Sequence, residues 1–407
     1  MRVSSVTMYE QSVASMNRQQ SDFLKVGQQI ASGRRVVNPS DDPQDASRAV
    51  GVSQAMSITE QFADSRVSAR NSLAQGESVL NSVSDAITSA KSLLVQASSD
   101  TLSDADRESV ASELRGIYET VIGQANATDG NGRYLFGGYQ DSSPPFVQDD
   151  AAGGIVYTGD SNDREQRIDA SRKMPVSNNG DTIFRSVPSG ATHVAEADGG
   201  NTGNVTFSKL QVVDADELVA GEAYTISFND STDPATYTVQ DSSGTPLTNH
   251  DGEDYTPGMA ISFDGLRVNL DGEPGNGDEI RVGAADQMNT NLFRTFERAL
   301  SVLESPATTD AEVAELKNSL STSMRELDNS LDNVLTVRAS MGARLNELDV
   351  VDSVGSNRTL NYEQTLSDLV DLDYGEAVSE YSLRQVGLQA AQKAFVDIKG
   401  MSLFDYL

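Results

Sequence analysis

No proline stands between Pro43 and Pro144 and none follows Pro306, whereas eight of the chain's 11 prolines fall between Asp141 and Asp286. Proline breaks helix interiors, because it lacks an N–H and its ring clashes with the preceding turn. This distribution therefore permits very long helices in both flanks and forbids them in the middle. Charge marks the same division, with 26 Asp and Glu against 8 Lys and Arg between Asp141 and Asp286. The reading is an α+β chain: long N- and C-terminal helices paired in a coiled-coil-like bundle, with an inserted, mostly antiparallel β domain. Its expected parts are terminal helices at 1–42 and 362–407, a helical bundle at 43–140 and 287–361, and the acidic β insert at 141–286.

Apolar spacing supports the helices. Val6, Tyr9, Val13, Met16, Phe23, Val26 and Ile30 recur at steps of three and four, with Gln20 in the one missing position, which makes a narrow heptad seam. A second run carries Ile58, Phe62, Ala69, Leu73, Leu80, Val83, Ile87, Ala90 and Leu94. After "TLSDADRESV", Ser103 or Asp104 can cap a third helix. On the other flank Leu316, Leu320, Met324, Leu327, Leu331, Val334, Met341, Leu345 and Leu348 keep helical spacing, followed by Val378, Tyr381, Leu388, Ala391, Phe395 and Ile398. A thin stripe on a lone helix at each chain end cannot bury itself, so both are expected to fold on joining neighbours.

The middle alternates like strands. "GEAYTISFND" sets Tyr224, Ile226 and Phe228 against polar neighbours, "ATYTVQDSSG" repeats the pattern, and "MAISFDGLRVNLDGEPGNGDEIRV" adds strands joined by Asp-Gly turns.

Chemistry is sparse. The chain has no cysteine and two histidines, His193 and His250, which excludes thiol catalysis and supports neither a metal motif nor a Ser-His-Asp arrangement. A formal charge of -31 argues against nucleic acid or an anionic membrane as partner. No stretch is apolar enough to span a bilayer, and the start lacks the apolar run of a cleavable signal. "DGEPGNGDEI", from Asp271 to Ile280, has a faint calcium-loop look but reads better as a solvated turn. No catalytic residue, cofactor or metal site is expected, and the chain is not read as an enzyme.

One stretch interrupts the helical pattern early. In "QQIASGRRVVNPSDDPQDASRAV", Gly33 is a good left-handed helix stop, and Pro39 and Pro43 hold the chain extended. Asp41 or Asp42 can cap the next helix with Pro43 in its first position. A capped turn explains the prolines and aspartates but not Arg34 and Arg35. A break bearing both signs of charge suits contact with another copy of a repeating assembly.

This stretch closely resembles the "SSGxRINxxxDDPA" segment of the flagellin superfamily, the bacterial flagellins and their relatives at the hook–filament junction. "VRASMGARLNELD" from Val337 to Asp349 resembles the matching C-terminal segment, and "LQAAQKAFVDIKGMSLFDYL" the terminal helix. The start "MRVSSVTMYEQS", the stretch "NGRYLFGGYQDSSPPFV" and the end "SLFDYL" resemble the junction relatives more than the filament subunits. The resemblance implies a structural adapter between hook-side proteins and the first flagellin layer, with a minor flagellin as the alternative. It further implies a self-associated ring, contact with a neighbouring hook-associated protein and with flagellin, and an export chaperone at the C-terminal region. The place it implies is extracellular, in the flagellum, after type III export without a cleaved signal. Residues assigned to the assembly interface on this basis are Arg34, Arg35, Asn38, Asp41, Asp42, Arg344, Asn346, Leu388, Phe395 and Phe404. The end helices would line an inner tube wall, and the acidic insert would project outward, where repulsion is least costly.

Overall fold

The computed structural model describes residues 5–400 apart from 100, 101, 150 and 152, with only the backbone described for residues 5, 6, 8 and 398–400. Its helices are α1 (Ser5–Ser32), α2 (Pro43–Ala97), α3 (Asp104–Ala125), α4 (Gly180–Phe184), α5 (Leu292–Glu304), α6 (Asp310–Val370) and α7 (Tyr374–Gly400). At 61 residues, α6 far exceeds a typical globular helix, as its lack of proline allows. The chain divides into two compact units, Met1–Asp64 with Val350–Leu407, and Ser65–Asp349.

In the terminal unit α1 and α7 run antiparallel. Phe23 packs on Tyr381 with ring centroids 4.7 Å apart, and Tyr9 on Phe395 at 5.4 Å. Asp22 accepts from Arg384 at 3.1 Å, and Val26 is buried. The seam expected to await neighbouring subunits is thus met within the chain, because each end supplies the partner that a lone helix lacks. That pairing does not use the whole of α7: Leu383 and Val386 remain 70% and 62% exposed. The side chains of Val6 and Ile398, and all of Phe404, lie outside the described residues.

In the central unit α2 and α6 are also antiparallel. Lys91 pairs with Asp328, Glu77 with Arg338 at 2.8 Å, and Arg70 with Asp349 at 2.6 Å. Leu73, Leu80, Ile87 and Leu94 are fully buried, as are Leu320 and Val334. Each contributes roughly 1.5–3 kcal/mol by leaving water. Ser103, not Asp104, caps α3, in a reciprocal box with Asp106.

Thirteen strands follow among the described residues. β1 (Phe146–Asp149) pairs with β2 (Gly154–Tyr157), and β3 (Glu165–Asp169) with β4 (Arg172–Pro175). The rest are β5 (Val194–Ala197), β6 (Thr206–Phe207), β7 (Gln211–Val212), β8 (Ala223–Asn229), β9 (Thr236–Gln240), β10 (Pro246–Asp254), β11 (Ala260–Phe263), β12 (Leu266–Asp271) and β13 (Glu279–Gly283). One sheet has the order β10-β9-β8-β13-β5 and the other β11-β12-β6, with β7 also on β12, all antiparallel. Tyr224, Ile226 and Phe228 of β8 and Tyr237 and Val239 of β9 share one core with Leu266, Val268 and Leu270 of the second sheet, so the alternation predicted for β8 and β9 marks one inward face of a sandwich. The Asp264-Gly265 turn does join adjacent strands, with φ of 41° and 76°. The second Asp-Gly, at 271–272, instead starts a crossover between sheets, since β13 pairs with β8 and β5. Within that crossover the buried Asp278 carboxylate accepts from the N–H groups of Thr202, Gly203 and Gly275 at 2.8–2.9 Å, so it organises a loop.

The stretch "NGRYLFGGYQDSSPPFV" is where aromatic packing joins helices to strands. Phe146 lies 4.9 Å from Phe293 of α5 and 5.3 Å from Phe184, and Phe136 packs edge-on to Phe184 at 5.6 Å.

Candidate assembly interface

The interruption after α1 is built by backbone geometry first. Gly33 has φ 69°, and a Cβ there would meet the Tyr374 hydroxyl at 3.1 Å, so conformation and space both favour glycine. A second interruption, between α6 and α7, pairs with it. Arg35 N–H donates to the Val370 carbonyl at 2.7 Å and Leu372 N–H to the Gly33 carbonyl at 3.0 Å, bracketing an antiparallel bridge of Arg34 with Asp371.

The aspartates of the two breaks close turns and cap helices. Asp42 caps α2, its Oδ1 accepting from Gln44 N–H at 3.2 Å and Asp45 N–H at 3.1 Å, while Pro43 occupies the first helical position, where no N–H is needed. Asp41 instead closes the turn before it, accepting from Asn38 N–H at 2.9 Å and Val37 N–H at 3.2 Å and pairing with Lys25 at 3.0 Å. The Asn38 backbone N–H first, and then the Lys25 ammonium, hold the Asp41 carboxyl below the usual range. Asp373 caps α7 by accepting from Gly375 and Glu376 N–H groups at 2.8 and 3.2 Å.

The two arginines part company. Arg35 reaches Asp45 at 2.6 Å, Asp42 at 3.5 Å and the Leu369 carbonyl at 2.7 Å, so it ties the start of α2 to the end of α6. Hydrogen bonding to Asp45 raises its already high pKa. Arg34 is exposed and makes no ion pair among the described residues. The sequence reasoning that left both arginines for a neighbour missed Asp45, Leu369 and Val370, which sit on the far side of the turn or of the chain. The cap at Asp373 was visible as an aspartate three residues before Glu376.

The other assigned residues lie apart. Arg344 bonds within the central unit, to Asn178 Oδ1 at 3.0 Å and the Pro175 carbonyl at 3.4 Å, and Asn346 is exposed on the same helix. Leu388 and Phe395 are half-buried on α7, Phe395 against Tyr9. What the arrangement presents is a doubly capped junction whose Arg34 side chain is unpaired among the described residues, above a helix pair that keeps apolar surface exposed.

Paired chain-end helices with capped breaks, together with an inserted sandwich, define a protein of the flagellin class, and residues 3–141 match the bacterial flagellin N-terminal helical region. Flagellar hook-associated protein 3 of Escherichia coli (strain K12) is 34% identical over 405 residues, 99% of each chain. The crystal structure of Xanthomonas campestris FlgL superposes with a TM-score of 0.67 at 27% identity, covering 78% of this chain and 99% of that one. A flagellin of Clostridium tyrobutyricum is 21% identical over 404 residues, 95% of each chain. The chain belongs to the flagellar hook-associated protein 3 family.

Proposed function

We propose that this chain is the structural adapter of the flagellar hook–filament junction, joining hook-side proteins to the first layer of flagellin, with no catalytic role. The observation that carries this reading is the match to hook-associated protein 3 along 99% of both chains. The 21% identity to a flagellin leaves the filament-subunit alternative much weaker. On this reading the chain is exported without a cleaved signal, acts outside the cell, and associates with itself in a ring between a hook-associated protein and flagellin, with a chaperone at its C-terminal region during export. Residues 1–42 and 362–407 would form the polymerising part, 43–140 and 287–361 the bundle, and 141–286 the insert. Arg34, Asn346 and the exposed side of α7 are the assigned residues best placed to meet a neighbour. Arg35 and Arg344 would act by holding the surfaces that do.

Deleting the gene, followed by electron microscopy of the cells and an assay of flagellin in the medium, tests this. Bare hooks with monomeric flagellin released are expected. Bare hooks without released flagellin would make the chain the filament subunit, and normal filaments would remove it from the junction.

A further inference from the structure

The molecule is strongly acidic, yet one cleft of about 320 Å³ between α2, α6 and the edge of the sandwich gathers cations. Lys91 of α2, Arg325 of α6 and Lys209 of the β6–β7 loop line it, opposed by the single carboxylate of Asp328. Asp328 holds Lys91 in an ion pair and stands 3.9 Å from Arg325, so two of the cations are positioned before anything binds. Lys209 is exposed and has no ion-pair partner among the described residues. Burial lowers the pKa of His193, also in the lining, against the pull of Asp286, so it adds no charge at neutral pH. The walls between the cations are apolar, with Val95 59% exposed beside Leu210 and Met324. Such a cleft suits a short segment that alternates carboxylates with aliphatic side chains.

The chain displays one segment of that chemistry. In "VVDADELV" (212–219), Val212, Val213 and Val219 are 49%, 54% and 49% exposed, among Asp214, Asp216 and Glu217. The segment is held in shape. Val213 and Asp214 donate to the Gly265 carbonyl at 2.8 and 3.2 Å, and Asp214 Oδ1 accepts from Asp216 N–H at 2.9 Å. Anchored on the β11–β12 turn, it does not line its own chain's cleft. A preformed loop loses little entropy on docking, which favours binding.

We propose that the Lys91–Lys209–Arg325 cleft of one copy receives the 212–219 loop of the next. Two different surfaces then meet, a head-to-tail contact that propagates into a ring or helix and not a closed dimer. The inference rests on the self-association proposed above and supplies it with a specific contact through the insert.

The absence of native cysteine makes the test clean. Full-length chain carrying Lys209→Cys and Asp216→Cys is expressed in the deletion strain, and isolated flagella are oxidised. A ladder of covalent multimers is expected, absent from either single variant. Flagella that form normally, contain the variant and yield no multimer would overturn the contact while leaving the junction role intact. If the double-cysteine chain builds no flagella, charge exchange decides: Lys209→Glu should reduce swarming, and adding Asp216→Lys should restore it. Undiminished swarming in the first variant, or no recovery in the second, would overturn the proposal.

Discussion

The carboxamide of Asn318 on α6 stands in for a missing strand beside Phe207: its Oδ1 accepts from Phe207 N–H at 3.1 Å and its Nδ2 donates to the Val205 carbonyl at 2.8 Å. The same helix face continues the device. Thr322 donates to the Ala195 carbonyl at 2.7 Å on edge strand β5, and Asn329 brackets Thr192 through its N–H at 3.0 Å and its carbonyl at 2.9 Å. Exposed sheet edges invite unwanted pairing, and here a helix covers them with side chains that imitate backbone.

Asn318→Leu keeps the volume but leaves the Phe207 N–H and the Val205 carbonyl buried without partners. A loss of roughly 2–4 kcal/mol is expected, since each orphaned buried group costs on the order of 1–3 kcal/mol. Urea unfolding measures it, and faster hydrogen exchange at Phe207 should accompany it.

Arg34 and Arg35 should separate by readout. Arg34→Glu is expected to leave thermal unfolding within about 0.5 kcal/mol of the parent while impairing motility. Arg35→Ala removes the tie to Asp45 and the Leu369 carbonyl. It should speed amide exchange at position 35 and at Leu372 in the isolated chain. Equal exchange in the two variants would refute the division of roles.

Acid should loosen the start of α6. Glu312 accepts from the N–H groups of Thr308 and Thr309, both at 2.8 Å, and these donors lower its pKa from 4.5 to about 2. A depressed folded pKa makes its contribution fully present above about 4.5 and lost as pH falls through about 2. Local amide exchange at Thr308 and Thr309 followed across that window should show the loss, and Glu312→Gln should flatten it.

Pairing of the chain ends should depend on Phe23 and Tyr381. Tyr381→Ala removes a ring contact at 4.7 Å, worth about 0.5–1.5 kcal/mol beyond the area it buries. Limited proteolysis should then cut α1 and α7 sooner while the central unit resists as before. Unchanged cleavage rates would show that the ends are held by something other than this seam.

Local chemistry made much of this protein legible from sequence. Proline spacing marked where helices could run, and two-residue alternation picked out the inward faces of β8 and β9. Gly33, the Asp41-Asp42 pair and Pro43 announced a stop and a start because a left-handed φ, a free acceptor and a missing N–H each act within a few residues, and the structure chose Asp42 as the cap. Asn318, Glu326, Asn329 and Asn333 were not legible in the same way. Polar residues at helical spacing read as a solvated face, yet these four are 1–6% exposed. Glu326 is buried against Arg298 at 2.9 Å, with Thr295 at 2.8 Å, and burial raises its pKa. Whether such a face meets water or another backbone depends on what the fold brings to it from more than a hundred residues away, as Val205 reaches Asn318. The same holds for the adjacent arginines. Sequence determined that both lie in a helix break, and only the tertiary structure decided which side chain binds its own chain, by setting Asp45 and the end of α6 beside the Arg35 guanidinium and, among the described residues, no carboxylate in an ion pair with that of Arg34.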